Sequence, residues 1–153
     1  MKKSKPSILI SPKYLPIATE SSRYFVVTGG RGSSKSFSVT AILTLLTCQP
    51  GHTILFTRYT MVSTLISIIP EFLEKIEIMG LEDMFTVTKS EIVNIETGSK
   101  ILFRGIRTSS GDQSANLKSL QGITCWIIEE AEELVDEDVF DKIDLSVRQK
   151  GIQ

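Results

Sequence analysis

The sequence predicts an α/β fold, a β-sheet with helices on its faces. Two observations carry this. An apolar, β-prone run, Tyr24–Thr28, leads into a glycine cluster, then into helix-like sequence over Ser36–Cys48, then into a second short apolar run at Thr53–Thr57. Much later a third apolar run, Ile123–Ile128, ends directly in Glu129 and Glu130. Strand, glycine loop, helix and strand in that order, with a later strand that delivers carboxylates, is the pattern of a sheet with a polar working edge.

The remaining elements follow in order. Residues 1–22 are polar and carry Pro6, Pro12 and Pro16, and read as an irregular lead-in. Tyr24–Thr28 reads as a buried strand. The helix over 36–48 is closed by Pro50-Gly51. Thr60–Met79 has helical periodicity, with Leu65, Ile69, Phe72, Leu73 and Ile76 on one side, and Pro70 kinks it or starts a second helix. Phe85–Thr88, Glu91–Ile95 and Lys100–Arg104 are strand-like, the last two joined by the turn Glu96-Thr97-Gly98-Ser99 into a hairpin. Arg107–Gln113 reads as a polar loop, Ala115–Leu120 as a helical turn stopped by Gly122, and Glu137–Leu145 as an acidic amphipathic helix.

Composition sets the bounds. The 153 residues suffice for one domain with a core, and 41% apolar with 23% charged residues is an ordinary globular balance. No run of about 18 apolar residues is present, so no membrane span is expected. The apolar run Ile8–Ile10 is too short for the core of a signal peptide. Cys48 and Cys125 lie far apart without metal-type spacing and read as buried thiols of a reducing compartment. His52, the single histidine, sits beside Gly51 at a turn. The net charge is −1, but nine of the 18 acids fall between Glu129 and Asp144, which leaves fourteen basic residues against nine acids before them. That is not the dense basic face of a high-affinity nucleic-acid binder. It permits weak backbone contacts, for which Arg58, Arg104, Arg107 and Lys118 are the candidates in or near loops; solvated surface charge is their bland alternative.

Chemistry concentrates in two places. In Gly29-Gly30-Arg31-Gly32-Ser33-Ser34-Lys35-Ser36, small residues allow consecutive backbone N–H groups to converge on phosphate oxygens. Lys35 can then reach the β- and γ-phosphates of ATP, and the Ser36 hydroxyl can ligate Mg²⁺. Against the pattern G-x-x-x-x-G-K-[ST], Gly29 takes the first glycine, while Ser34 stands where the second belongs. A positive φ at Ser34 costs about 1 kcal/mol more than at glycine. The alternative is an ordinary Gly/Ser loop between strand and helix. The second place is Ile127-Ile128-Glu129-Glu130. Glu129 would stand on the metal side and Glu130 beside the attacking water, because adjacent residues leaving a strand point to different sides. The alternative there is the start of a solvated acidic helix, which Glu132, Glu133 and Asp136 fit equally well.

Ser22-Arg23-Tyr24, the loop 29–36, Phe103-Arg104-Gly105, Leu117–Ile123, Trp126–Ala131 and Asp144–Gln149, taken in order, resemble the N-terminal ATPase part of the large terminase subunit of tailed bacteriophages. The resemblance covers nearly the whole chain from about Pro12. It implies a RecA-like P-loop ATPase sheet with Mg-ATP as fuel. The activity it implies is pumping of double-stranded DNA into a procapsid, with a portal protein and a small terminase subunit as partners. It implies a ring homo-oligomer in the full-length context, no membrane association, and a place in the bacterial host cytoplasm at the procapsid portal. It further implies that Arg31 senses the γ-phosphate and that Glu130 is the catalytic carboxylate.

Residues 23–153 would form the ATPase domain, ending before the coupling segment and the nuclease domain of the family, so no nuclease residues are carried over. The family's next strand lies between the two motif strands, here Tyr24–Thr28 and Ile123–Ile128. The expectation is an incomplete sheet, marginal folding and poor turnover by this span alone. The other readings are a split or decayed prophage fragment that binds nucleotide or partners without turnover, and another, helicase-like, phosphate-loop ATPase.

Overall fold

A computed structural model describes residues 7–60, 62, 64–108, 111–112, 121–134, 136–145 and 147. Five strands form the main sheet in the order β2-β3-β4-β1-β7. They are β1 (Thr53–Arg58), β2 (Phe85–Val87), β3 (Glu91–Asn94), β4 (Lys100–Gly105) and β7 (Cys125–Ile128). Strand β1 runs parallel to β4 on one side and to β7 on the other, whereas β3 is antiparallel to both β2 and β4. The β3–β4 hairpin closes at residues 95–99, where Asn94 Oδ1 accepts the N–H groups of Glu96 and Thr97 and Gly98 takes a positive φ of 74°.

Alternation along the central strands divides the core in two. Ile54 and Phe56 face one side with Ile101 and Phe103, against α2 (Lys35–Thr47) and α3 (Ile69–Ile78). Leu55 and Leu102 face the other side with Ile106 and Ile123, against Val139 and Ile143 of α4 (Glu137–Asp144). The result is the RecA-like arrangement of a largely parallel sheet between helical layers. Burying each such aliphatic or aromatic side chain contributes about 1.5–3 kcal/mol.

The helices are set by local chemistry. α2 buries Thr40, Thr44 and Thr47, whose hydroxyls donate to the carbonyls of Ser36, Thr40 and Thr44, whereas the buried Ser38 Oγ of the same helix has no hydrogen-bond partner. α3 follows a π turn at Thr64–Ile68 and carries Pro70 in its first turn, where a missing N–H does no harm. Asp136 caps α4 by accepting the N–H groups of Asp138 and Val139. The lead-in holds a 3₁₀ turn, Pro12–Tyr14, and the single helical turn α1 (Pro16–Thr19). Among the described residues no helix is long and apolar enough to cross a membrane.

Three expectations differ from this structure. Tyr24–Thr28 is neither a strand nor buried: it makes no sheet pairing, and Val26 is 89% exposed. Among the described residues β7 is one edge of the sheet, with no strand between it and this segment, which is anchored instead at its start. Arg23 Nη2 reaches both oxygens of Asp144 at the end of α4 (3.0 and 2.8 Å), and the Tyr24 hydroxyl donates to Asp144 Oδ1 at 3.1 Å. Within the expected polar loop 107–113, Arg107–Thr108 (β5) and Gly111–Asp112 (β6) pair as a short antiparallel ladder. Leu73, expected on the apolar side of its helix, is 42% exposed, while Ile69, Phe72 and Ile76 are buried. The helical turn expected at 115–120 lies outside the described residues.

Candidate functional site

Strands β1, β4 and β7 point the same way, so their C-terminal ends share one edge of the sheet, the edge where open α/β sheets bind ligands. The Thr57↔Ile128 register brings Arg58, the last residue of β1, level with Glu129. The ladder continues one step beyond β7, because the Glu129 N–H donates to Thr57 O at 2.9 Å. Thr57 is buried and braces this end from its side chain. Its hydroxyl donates to Ile127 O (2.9 Å) and accepts from Trp126 Nε1 (2.8 Å).

The chain then turns sharply. Glu130 sits in the left-handed region at φ 52°, and a 3₁₀ turn, Ala131–Glu133, follows. The two adjacent acids thereby take different settings. Glu130 is the more exposed and pairs with Arg58, whose Nε donates to Glu130 Oε2 at 3.0 Å and whose Nη2 also contacts that oxygen. Arg58 Nη1 donates to Ser67 Oγ at 3.0 Å. The hydrogen bond that Arg58 donates to Glu130 holds its guanidinium above its ordinary pKa. Glu129 points inward. Its Oε2 is buried without a hydrogen-bond donor and lies 3.8 Å from Arg58 Nε. Burial pushes its pKa up, Arg58 pulls it part of the way back, and Glu130 and Glu71 add repulsion.

The glycine loop leads into α2, which begins at Lys35. Ser34 precedes it in the left-handed region (φ 60°, ψ 19°), so the positive φ weighed from the sequence is realised, and Gly32 is also left-handed at φ 77°. Alternation of this kind turns successive N–H groups toward one concavity. The Lys35 charge offsets a small part of the rise in the Glu129 pKa. Arg31 is exposed on the loop's turn.

In chemical terms, Glu129 and Ser36 are the side chains that could hold a divalent cation. Glu129 offers an inward carboxylate oxygen with an unfilled lone pair, and Ser36 offers a hydroxyl at the start of α2. Hard oxygen donors are what Mg²⁺ takes.

Of the basic residues considered for DNA, Arg58 is engaged with the acids. Arg104 donates from Nη1 to the carbonyls of Ser90 (3.1 Å) and Phe103 (2.7 Å). Only the backbone of Arg107 is described, and Lys118 lies outside the described residues. Both cysteines are free and half-buried, and burial pushes the Cys125 thiol up to about 11. Two contacts at the site escape sequence reasoning. Arg58 follows the apolar run Thr53–Thr57, but its pairing with the distant acids is set by the sheet register. Tyr14, whose hydroxyl touches the loop at Ser33, had no usable signal, because it sits in an aperiodic proline-rich stretch.

The sheet order and the layering of helices define the RecA-like α/β class. A family model described as phage terminase large subunit matches residues 21–153, and the chain belongs to that family. The large terminase subunit of Bacillus phage SPP1 is 29% identical over 151 residues, which is 91% of this chain and 34% of that protein. The chain thus spans about a third of the length of this curated relative. Membership in this family takes the place of the helicase-like alternative.

Two predictions follow from this geometry. Ser34→Gly removes the left-handed strain at an exposed side chain and is expected to raise stability by about 1 kcal/mol, read as a shift of the denaturation midpoint in urea. Ionised Glu129 opposes folding, because its folded pKa is raised. That penalty is absent below the ordinary glutamate value of about 4.3, grows as pH rises through the gap between unfolded and folded values, and is full above the folded one. Glu129→Gln should therefore raise the melting temperature at pH 7, and the gain should vanish as the pH falls to about 4.

Proposed function

We propose that this chain is the nucleotide-hydrolysing segment of a phage DNA-packaging motor. It would bind Mg-ATP on residues 29–36 and use hydrolysis to drive double-stranded DNA into a procapsid. The observation that supports this is the form of residues 29–36, a glycine loop with left-handed Gly32 and Ser34 that runs straight into a helix beginning at Lys35. A lysine at the head of α2, behind a loop with left-handed residues, lies within electrostatic reach of a buried carboxylate with an unfilled acceptor. Membership in the terminase large-subunit family supports the same reading.

Each residue then has a role. The loop N–H groups and Lys35 hold the phosphates, and Ser36 and Glu129 hold Mg²⁺. Bound magnesium would supply neutralisation of phosphate charge as the γ-phosphoryl group leaves. Arg31, exposed on the loop, would meet that group as its charge builds. Glu130 would accept a proton from the attacking water. In the present arrangement its carboxylate is held by Arg58, so this ion pair must open before Glu130 can act as a base.

The wider setting belongs to the same proposal: a portal protein and a small terminase subunit as partners, a ring of copies in the full-length protein, and the host cytoplasm as the place. Residues 24–28 stand outside the sheet, so no ladder locks the loop against the acids within the described residues. Turnover by this span alone is accordingly proposed to be slow, since misplacement of about 1 Å already costs roughly 100-fold.

Lys35→Ala should abolish Mg-ATP binding in calorimetry, and unchanged affinity would sink the phosphate-loop assignment. In a full-length context, Glu130→Gln should retain nucleotide affinity and lose turnover by about 10²–10⁴-fold, because an amide cannot take a proton from water. Turnover at the parental rate would move the base elsewhere. Stimulation of hydrolysis by procapsids, and not by single-stranded nucleic acid, is the expected mark of a packaging motor.

A further inference from the structure

We propose that Tyr14 is a positioning residue of the phosphate loop: its hydroxyl fixes the Ser33–Ser34 peptide so that the Ser34 N–H is turned into the phosphate cradle. This deepens the proposed function and rests on the reading of residues 29–36 as a phosphate loop.

The geometry is local and specific. Tyr14 ends the 3₁₀ turn Pro12–Tyr14 and is 4% exposed, so its phenol is committed to the interior. The hydroxyl donates to the Ser33 carbonyl oxygen at 3.2 Å and stands 3.3 Å from Ser33 Oγ. A trans peptide is planar, and its C=O and N–H point in opposite directions. A carbonyl of Ser33 held on Tyr14 therefore turns the Ser34 N–H to the opposite side. Ser34 itself is left-handed at φ 60°, as is Gly32 at φ 77°, and the Ser33 N–H closes the turn onto Gly30 O at 3.2 Å. With its carbonyl released, the Ser33–Ser34 peptide would be free to rotate and relieve the strain at Ser34.

Two further contacts show how closely the loop is folded on this side chain. A Cβ placed on Gly29 would meet Ser33 Oγ at 2.5 Å and the Tyr14 hydroxyl at 3.0 Å, so Gly29, Ser33 and Tyr14 form one compact unit. Beside it, Leu9, Ile10, Ser11 and Pro12 face Ser34 and Phe37 across an open cleft of about 600 Å³. The lead-in thus lies against both the loop and the first turn of α2, and Tyr14 is its hydrogen-bonded link to the loop.

The test is Tyr14→Phe in the whole chain, with calorimetry against Mg-ATP and against Mg-tripolyphosphate, which has phosphates but no nucleoside. Removing one oxygen leaves the ring and its packing in place. Affinity for both ligands should fall by about tenfold, the value of one hydrogen bond, while the melting temperature stays close to that of the parent. Deuterium exchange over residues 29–36 of the free variant should quicken, with exchange in β1 and β4 unchanged. Parental affinity for tripolyphosphate would overturn the proposal, as would a loss confined to Mg-ATP, which would put Tyr14 in service of the nucleoside. If the parent chain binds neither ligand, the phosphate-loop reading itself falls, and this proposal falls with it.

Discussion

Strand β1 holds hydrogen-bonded neighbours on both sides, parallel to each, and the geometry of the site depends on that register. Its residues alternate between the two cores: Ile54 and Phe56 pack toward α2 and α3, and Leu55 packs toward α4. The Phe56, Phe72 and Phe103 rings meet pairwise at 5.6–5.9 Å, which fixes α3 against the middle of the sheet. At the end of the same strand, Thr57 ties itself to β7 through backbone and hydroxyl together, and Arg58 emerges level with the two acids. A slip of one residue would turn every side chain of β1 to the other face, Thr57 and Arg58 included, and undo the core with them.

Around this strand the site is assembled under tension. Ser34 and Glu130 are the two non-glycine residues with positive φ among those described, and they stand on its two halves, one heading α2 and the other following β7. Each left-handed residue costs about 1–2 kcal/mol. Glu129 adds a buried carboxylate whose ionisation is disfavoured. Strain of this kind persists where the surrounding fold over-determines it, and functional sites are where it collects. Buried Lys75 shows the same over-determination nearby. It pairs with Glu71 and Glu74 and lies 4.3 Å over the Phe37 ring, joining α3 to the first turn of α2.

Much of the fold was legible in the sequence. The short apolar run that became β1, the strand-like run that became β4, the helix ended by Pro50-Gly51, the turn at 96–99 and the acidic amphipathic helix from Glu137 all speak through local chemistry. Tyr24–Thr28 misled because its composition is strand-like, whereas a strand also requires a paired neighbour, and no local signal reports whether one exists. Arg58 reads as solvated charge until the parallel register sets it beside acids 71 and 72 residues further on. Tyr14 reaches the loop across 19 residues of irregular chain, a contact that no periodicity encodes. The loop and the acid pair were recognisable as chemistry, and the pairing of the acids with Arg58 became apparent only through the sheet.

The central claim is that the glycine loop and the inward acid form a single site, joined through magnesium. It is tested most directly by measuring ATP affinity calorimetrically with and without Mg²⁺, in the parent chain and in Glu129→Ala. The account predicts that magnesium tightens ATP binding in the parent and loses most of that effect in the variant, while metal-free affinity is not weakened. An equal magnesium effect in both proteins would contradict it and separate the loop from the acids.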